Sequence, residues 1–206
     1  HARATAARES GSFAEEIVPI ETSAGTVDQD GCIRPGTDSE TLAKLRPVFD
    51  ANGTVTAGTS SPLTDGAAFV FVCSERFATE NALEPIARIK SAAVSGCAPE
   101  IMGIGPVEAT RKALERANLS LEDIDIVELN EAFAAQSLAV IGKLGLDHDK
   151  VNLDGGAIAL GHPLGASGAR ITGKAALLLK KNGGKHALAT LCVGGGMGMA
   201  TVLEQV

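Results

Sequence analysis

The sequence predicts an α/β fold: a layered domain with a mixed sheet flanked by helices, preceded by a shorter turn-rich segment. Three observations carry that expectation. From Asp65 onward, runs of strand character alternate with runs of helical period. Hydrophobic content is 45% but aromatics are only 3%, with 24 Gly and no Trp or Tyr, a stock that favours close packing of helices on a sheet. The last two apolar runs are joined through a short link containing Gly194-Gly195-Gly196, which predicts antiparallel neighbours in a mixed sheet.

Residues 1–62 hold an amphipathic start (His1 to Arg8), a short extended run at Glu16 to Ile20, and turn signals at Asp28-Gln29-Asp30-Gly31, Pro35-Gly36 and Asn52-Gly53. This part lacks a core-forming period and is expected to lie over another surface. Ala67 to Cys73 is a continuous apolar run, expected to be a strand buried on both faces. Ser74 caps a short helix through about Asn81, and Ile86 to Ser95 reads as a strand of mixed exposure. Pro106 opens a helix through Asn118, with Val107, Ala113, Leu114 and Ala117 on one face. Ser120 to Asp123 is a short turn leading into a strand over Ile124 to Leu129. Glu131 to Leu144 reads as an apolar helix stopped by Gly145, and Val151 to Leu153 as a brief extended piece. A helix over Ser167 to Asn182 ends on Lys180-Lys181 and Gly183-Gly184, residues suited to a helix carboxyl end. Ala187 to Val193 and Met199 to Val206 are the closing strands.

Bulk properties narrow the function. The net charge is -7, and no basic stripe interleaved with aromatics is present, which argues against nucleic acid as a partner. The longest apolar runs fall short of the roughly 18 to 20 residues of a membrane-spanning helix. With no secretory signal either, a cytoplasmic protein is expected. Cys32, Cys73, Cys97 and Cys192 lack metal-ligand spacing, so they read as reduced thiols and no metal site is expected. The first residue is His1 rather than Met, so a preceding segment is expected.

Three segments place polar residues where packing alone does not require them. Asn130 stands between a strand and the run Glu131-Ala132-Phe133-Ala134-Ala135-Gln136. An Asn there is ordinarily a helix cap, yet strand carboxyl ends in α/β sheets are also where ligands bind. Gly155 to Gly168 surrounds a lone His162, held between Gly161 and Pro163. A lone His is more often structural, and a Gly-rich stretch can cradle phosphate, but no Lys or phosphate-loop spacing accompanies this one. The glycines instead allow a ligand to approach a side chain that shuttles protons near neutral pH. Cys192 ends an apolar strand and is followed by Val193 and three glycines. Such a Cys is usually a small buried hydrophobe, but free backbone N–H groups beside a thiol suit an oxyanion and a proton carrier.

Taken in order, these segments resemble the thiolase family. Asn130-Glu131-Ala132-Phe133 is similar to its Asn-Glu-Ala-Phe motif, Gly161-His162-Pro163 to its Gly-His-Pro motif, and Cys192-Val193-Gly194-Gly195-Gly196 to its carboxyl-terminal Cys-Gly-rich signature. Thr54 to Ser61, followed by Asp65-Gly66-Ala67-Ala68, matches a fourth stretch. The resemblance implies a thiolase-like layered fold, with 1–62 the remainder of a loop domain and linker and 63–206 the carboxyl-terminal half-domain. It implies thiolytic cleavage of 3-ketoacyl-CoA to acetyl-CoA and a shortened acyl-CoA, or the reverse Claisen condensation. Coenzyme A thioesters are then substrates, and no further cofactor is needed.

The same resemblance assigns roles. His162 resembles the base that takes the proton of a nucleophilic Cys, and it also lines an oxyanion hole. Asn130 resembles the residue that holds a water in that hole. Cys192 resembles the second catalytic Cys, which moves a proton to or from the substrate α-carbon, and the Gly194 N–H resembles a donor to a second oxyanion hole. Ser61, Met102 and Phe133 fall where the family lines its pantetheine and acyl pocket. Asp154 and Thr59 each replace an Asn found in other members, and Thr59-Ser60-Ser61 looks more like degradative 3-ketoacyl-CoA thiolases. Members are about twice this length, and the acyl-accepting Cys is expected in a missing amino-terminal half, since Cys32, Cys73 and Cys97 do not stand in its motif. The 206 residues alone are accordingly expected to be inactive, and a homodimer or homotetramer is expected of the complete protein. A non-catalytic acyl-CoA-binding or assembly chain is the competing reading, resting on the missing nucleophile. A ketoacyl-synthase type of condensing enzyme fits the Asn130 and Cys192 motifs poorly.

Overall fold

The computed structural model describes residues 1–206. In chain order the leading part holds α1 (Ala2–Glu9), the hairpin β1 (Ile20–Thr22) and β2 (Gly25–Val27), and α2 (Ser39–Ala43). There follow α3 (Glu75–Glu80), β3 (Ala87–Gly96), α4 (Gly105–Ala117), β4 (Ile126–Leu129) and α5 (Ala134–Leu144). The chain closes with α6 (Ala157–Leu160), α7 (Ser167–Asn182), β5 (His186–Val193) and β6 (Met197–Gln205). No helix is long and apolar enough to cross a membrane.

One four-stranded mixed sheet, in the order β3-β6-β5-β4, organises the molecule. The closing strands are antiparallel, and β3 is antiparallel to β6, while β4 runs parallel to β5. Two apolar layers sandwich the sheet. Val127, Leu129, Leu188, Ala200 and Val202 pack against Val107, Ala109 and Ala113 of α4 and against Val140 and Leu144 of α5. On the other face Ile126, Ala187, Ala189 and Leu203 pack against Ile171, Ala175, Leu178 and Leu179 of α7. Burying side chains of this size is worth about 1.5–3 kcal/mol each for the larger ones, so the layers dominate cohesion.

Local chemistry explains the element ends. Ser74 Oγ accepts from Phe77 N to cap α3, and Pro106 sits in the first turn of α4. Ser120 and Asp123 close a reciprocal capping box ahead of β4. Asn118, Gly145 and Gly183 end α4, α5 and α7 in the left-handed region. The leading segment does lie over another surface: Ala4, Ala7, Phe13 and Ile33 cover Ala159 and Leu160.

Two expectations are corrected. Ala67 to Cys73 forms no strand, and Phe69, Phe71 and Val72 are 86%, 62% and 66% exposed. An apolar run becomes a buried strand only when a neighbour supplies its ladder, and no strand of this chain pairs with it. The helix expected from Glu131 begins at Ala134 instead. Phe133 is extended (φ -143°, ψ 146°) and bridges to Ser60, because residues 131–133 are bound sideways before the helix can start.

Candidate active site

β3, β4 and β5 run in the same direction, so their carboxyl ends, with the Gly-rich turn after β5, share one edge of the sheet. Ligands in α/β folds bind at that edge. Asn130 continues β4 by donating its N–H to Thr190 O at 3.0 Å. Alternation along the strand turns Val127 and Leu129 to the α4 side and Ile126, Glu128 and Asn130 to the α7 side. Asn130 is fully buried and is not a helix cap; Phe133 holds that position. Its Nδ2 lies 3.3 Å from His162 Nε2, and its Oδ1 makes no hydrogen bond.

His162 follows the short helix α6 and a glycine at φ 96°. A Cβ at Gly161 would stand 2.5 Å from the Thr64 side chain, so both conformation and space require glycine here. Pro163 then turns the chain toward α7. The imidazole Nδ1 is 2.5 Å from Ser167 Oγ, which also donates to Pro163 O at 3.1 Å. With its proton directed at Pro163, the hydroxyl accepts from Nδ1–H. The network thereby selects the tautomer whose Nε2 lone pair faces the Asn130 amide. Burial, and then the positive charge of Arg170, hold the imidazole below its ordinary 6.5, so it is neutral at neutral pH.

Glu131 ties the strand end to this loop. Its carboxylate accepts from Asn152 Nδ2 at 2.9 Å and from Ile158 N at 3.2 Å. Asn152 in turn bonds the N–H and the carbonyl of Leu129, at 2.9 and 2.8 Å. A Cβ at Gly156 would sit 2.2 Å from the Glu131 carboxyl carbon, so glycine is what admits the acid. Glu131, Asn152 and Ser167 were not singled out by sequence. Ser167 lies five residues after His162, a signal masked by its fitness as a helix start.

Cys192 lies near the end of β5, beside β4, opposite Gly198 and only 6% exposed. It makes no hydrogen bond to Asn130 or His162, so the structure gathers the three on one edge but joins only the latter two. Burial pushes the Cys192 thiol above its ordinary 9, which keeps it protonated at neutral pH. Gly194 is exposed in the turn that follows, where Gly195 and Gly196 adopt φ 88° and 92°.

Ser61 and Phe133 are brought together. Ser61 N and Oγ both donate to Ala132 O, at 3.0 and 3.2 Å, and Ala134 N donates to Thr59 O at 2.8 Å. The Thr59–Ser61 strap therefore lies along the segment that follows Asn130. Met102 is half-buried in the 3-10 turn Pro99–Ile104 after β3, with no hydrogen bond to that strap. Gly103 of the same turn packs on Gln136 of α5.

Comparison with known proteins matches two family models. "Thiolase, N-terminal domain" covers residues 1–76, and "Thiolase, C-terminal domain" covers residues 83–205. A 3-ketoacyl-CoA thiolase of Vibrio vulnificus is 56% identical over the whole chain, which spans 55% of that relative's length. The crystal structure of the Bacillus anthracis acetyl-CoA acetyltransferase superposes with a TM-score of 0.96 at 47% identity, covering 100% of this chain and 53% of that one. Human mitochondrial 3-ketoacyl-CoA thiolase in complex with CoA superposes at 0.93 with 48% identity, covering 99% and 52%.

Proposed function

The chain belongs to the thiolase family, and from that premise we propose that it supplies the acid–base and oxyanion side of a thiolase centre. The reaction is acyl transfer between coenzyme A thioesters, in the direction of 3-ketoacyl-CoA thiolysis or its Claisen reverse. The observation that carries this reading is the His162 imidazole, fixed by Ser167 on one nitrogen with the other nitrogen beside Asn130.

In thiolysis, His162 Nε2 takes the proton of an acyl-accepting thiol. That thiol is assigned to a segment outside these residues; the ring's partners within the chain are Asn130 and Ser167. The thiolate attacks the keto carbon of the substrate, and the Cα–Cβ bond breaks to expel the enolate of acetyl-CoA. Cys192, protonated in its buried position, gives its proton to the enolate carbon. The Gly194 N–H is assigned to stabilising the enolate oxygen, and such a donor is worth roughly 3 to 4 kcal/mol. A water held by Asn130 Oδ1 and the imidazole form the other oxyanion site. Coenzyme A then takes the acyl group from the enzyme thiol: its own thiol proton restores Cys192, and the proton held by His162 returns to the released enzyme thiolate.

Ser61, Met102 and Phe133 are assigned to the pantetheine and acyl pocket, coenzyme A being substrate rather than resident cofactor. Residues 1–62 are assigned to a loop domain and linker, and 63–206 to the half-domain that bears the site. A degradative role in fatty-acid β-oxidation, a cytoplasmic location and a homo-oligomer complete the proposal. The test is consumption of 3-ketoacyl-CoA dependent on free coenzyme A, with release of acetyl-CoA. A protein that binds acyl-CoA yet neither cleaves nor condenses it, with the acyl-accepting thiol present, overturns the reading in favour of a binding chain.

A further inference from the structure

Beneath Asn130 and His162 lies a second pair of side chains that the proposed chemistry does not use. Alternation along β4 puts Glu128 on the same α7-facing side as Asn130, one step deeper. Three residues along α7 from Ser167 comes Arg170, on the same side of that helix. Two rungs therefore span β4 and α7. The upper rung is Asn130–His162–Ser167, and the lower is Glu128–Arg170, with Glu128 Oε2 3.7 Å from Arg170 Nη2.

The lower rung is unusual for a buried ion pair. Glu128 is 0% exposed, and neither of its carboxyl oxygens makes a hydrogen bond. Arg170 Nε and Nη2 are likewise buried and unbonded. Buried charges are ordinarily both paired and hydrogen-bonded, because desolvation otherwise outweighs attraction. The surrounding charges do not complete the pair. Lys174 is taken by Glu16 and Asp154 and lies over the Phe13 ring, and Glu131 is taken by Asn152 and Ile158 N. Asp30, from the leading segment, also feels the Arg170 charge, which opposes the rise that burial imposes on its carboxyl.

We propose that Glu128 and Arg170 are positioning residues that set the charge met by the His162 imidazole: the Arg170 guanidinium, three residues along α7 from the Ser167 that holds the ring, supplies a positive charge, and Glu128 offsets it only while ionised. This deepens the thiolase reading, because the base it adjusts is the one that reading uses. Burial carries the Glu128 carboxyl up to about 7, with Arg170 and Lys174 opposing the rise and Glu16 and Glu131 adding to it. The carboxyl thus changes charge within the neutral range. Above that range the pair is net neutral and the imidazole is the stronger base. Below it Arg170 stands unopposed, and the imidazole resists protonation. Arg170 is also one of the two causes that lower His162. Two titrating groups coupled through one guanidinium must each register the other's proton.

The test is NMR titration of the protein labelled with 13Cε1 histidine and 13Cδ glutamate, the four histidines being assigned with His162→Gln. In the wild type, the Glu128 carboxyl is expected to titrate near pH 7, with a matching minor inflection in the His162 signal. Glu128→Gln removes that minor inflection and leaves the main one below 6.5. Arg170→Gln moves the main inflection upward, and Arg170→Lys returns it toward the wild-type position. A wild-type Glu128 that titrates in the ordinary carboxylate range overturns the proposal without any variant. So does a His162 curve that is the same in all the folded variants, the outcome of a purely structural role. Neither readout needs turnover. A protein that shows these curves but no thiolysis removes the functional reading alone, and one that turns over with a flat response removes this inference alone.

Discussion

Replacing Ser167 with Ala tests the positioning of His162 most directly. The side chain is fully buried, and its hydroxyl serves two bonds, 2.5 Å to His162 Nδ1 and 3.1 Å to Pro163 O. A methyl group leaves the Nδ1–H facing carbon and frees the ring to rotate or to take the other tautomer, in which Nε2 can no longer accept a proton. Each bond is worth about 0.5–1.5 kcal/mol net, so the pair is worth about 1–3 kcal/mol. If that energy holds the ring in its reactive orientation, all of it is lost from the chemical step. At about 1.4 kcal/mol per tenfold, kcat falls roughly 5- to 150-fold. KM is expected to change little, since the hydroxyl faces the imidazole rather than the substrate. The assay is steady-state thiolysis in a polypeptide that carries the acyl-accepting thiol, alongside the imidazole 15N shifts, which report the tautomer. Wild-type kcat together with an unchanged tautomer in a folded S167A protein would refute the reasoning.

Cys192→Ala is expected to lower thiolysis by roughly 10²- to 10⁴-fold, the usual worth of a general acid. Acylation of the enzyme thiol by an acyl-CoA should survive and is read by intact mass. Glu128→Gln should stabilise the protein in a pH-dependent way. Carrying the carboxyl from 4.5 to about 7 means that the folded state is penalised progressively as pH rises from 4.5 through 7. The full cost above pH 7 is about 3 kcal/mol. Thermal unfolding should therefore show a large gain for the variant at pH 8 and almost none at pH 4, and an equal gain at both would contradict a buried, titrating Glu128. His162 acts in the opposite sense. Its lowered midpoint means that stability falls as pH drops below 6.5, where the unfolded state takes up the proton first. Finally, with Phe69, Phe71 and Val72 exposed in one run, the 206-residue chain on its own should self-associate, and Phe71→Lys should reduce that association. A monodisperse wild-type monomer in light scattering would count against it.

Much of this architecture was legible in the amino-acid pattern, for identifiable reasons. The helix over Ser167–Asn182 has its stop signals in place, and its limits coincide with those expected. The closing strands are short, apolar and tied by glycines, which leaves antiparallel pairing as the one economical arrangement. The pattern misled where a segment's fate depends on partners distant in sequence. Ala67–Cys73 has the composition of a core strand, yet composition cannot say whether a neighbour exists to pair with it. Glu131 has excellent helix propensity, but its carboxylate is claimed by Asn152 and Ile158 N, and three residues of expected helix stay outside it. Within the site, His162 and Asn130 stood out because each is polar where apolar residues prevail. Ser167 and Glu128 did not, since a serine at a helix start and an acid in a strand have ordinary explanations that only their burial removes.

The parallel pairing of β4 with β5 separates two kinds of tolerance to change. At the edge opposite the site, Asp125 accepts from Lys185 N at 2.6 Å and from His186 N at 3.1 Å, fastening the start of β5 to the approach of β4. Those bonds lie a full strand length from Asn130 and Cys192. Substitutions there adjust how firmly the sheet is held without entering the space where a thioester would lie, and energies at such distances add nearly independently. The molecule can thus drift in thermal tolerance through one edge while the composition of the other stays unchanged. Asp125→Ala is expected to lower the melting temperature while leaving the spectrum of His162 as it was.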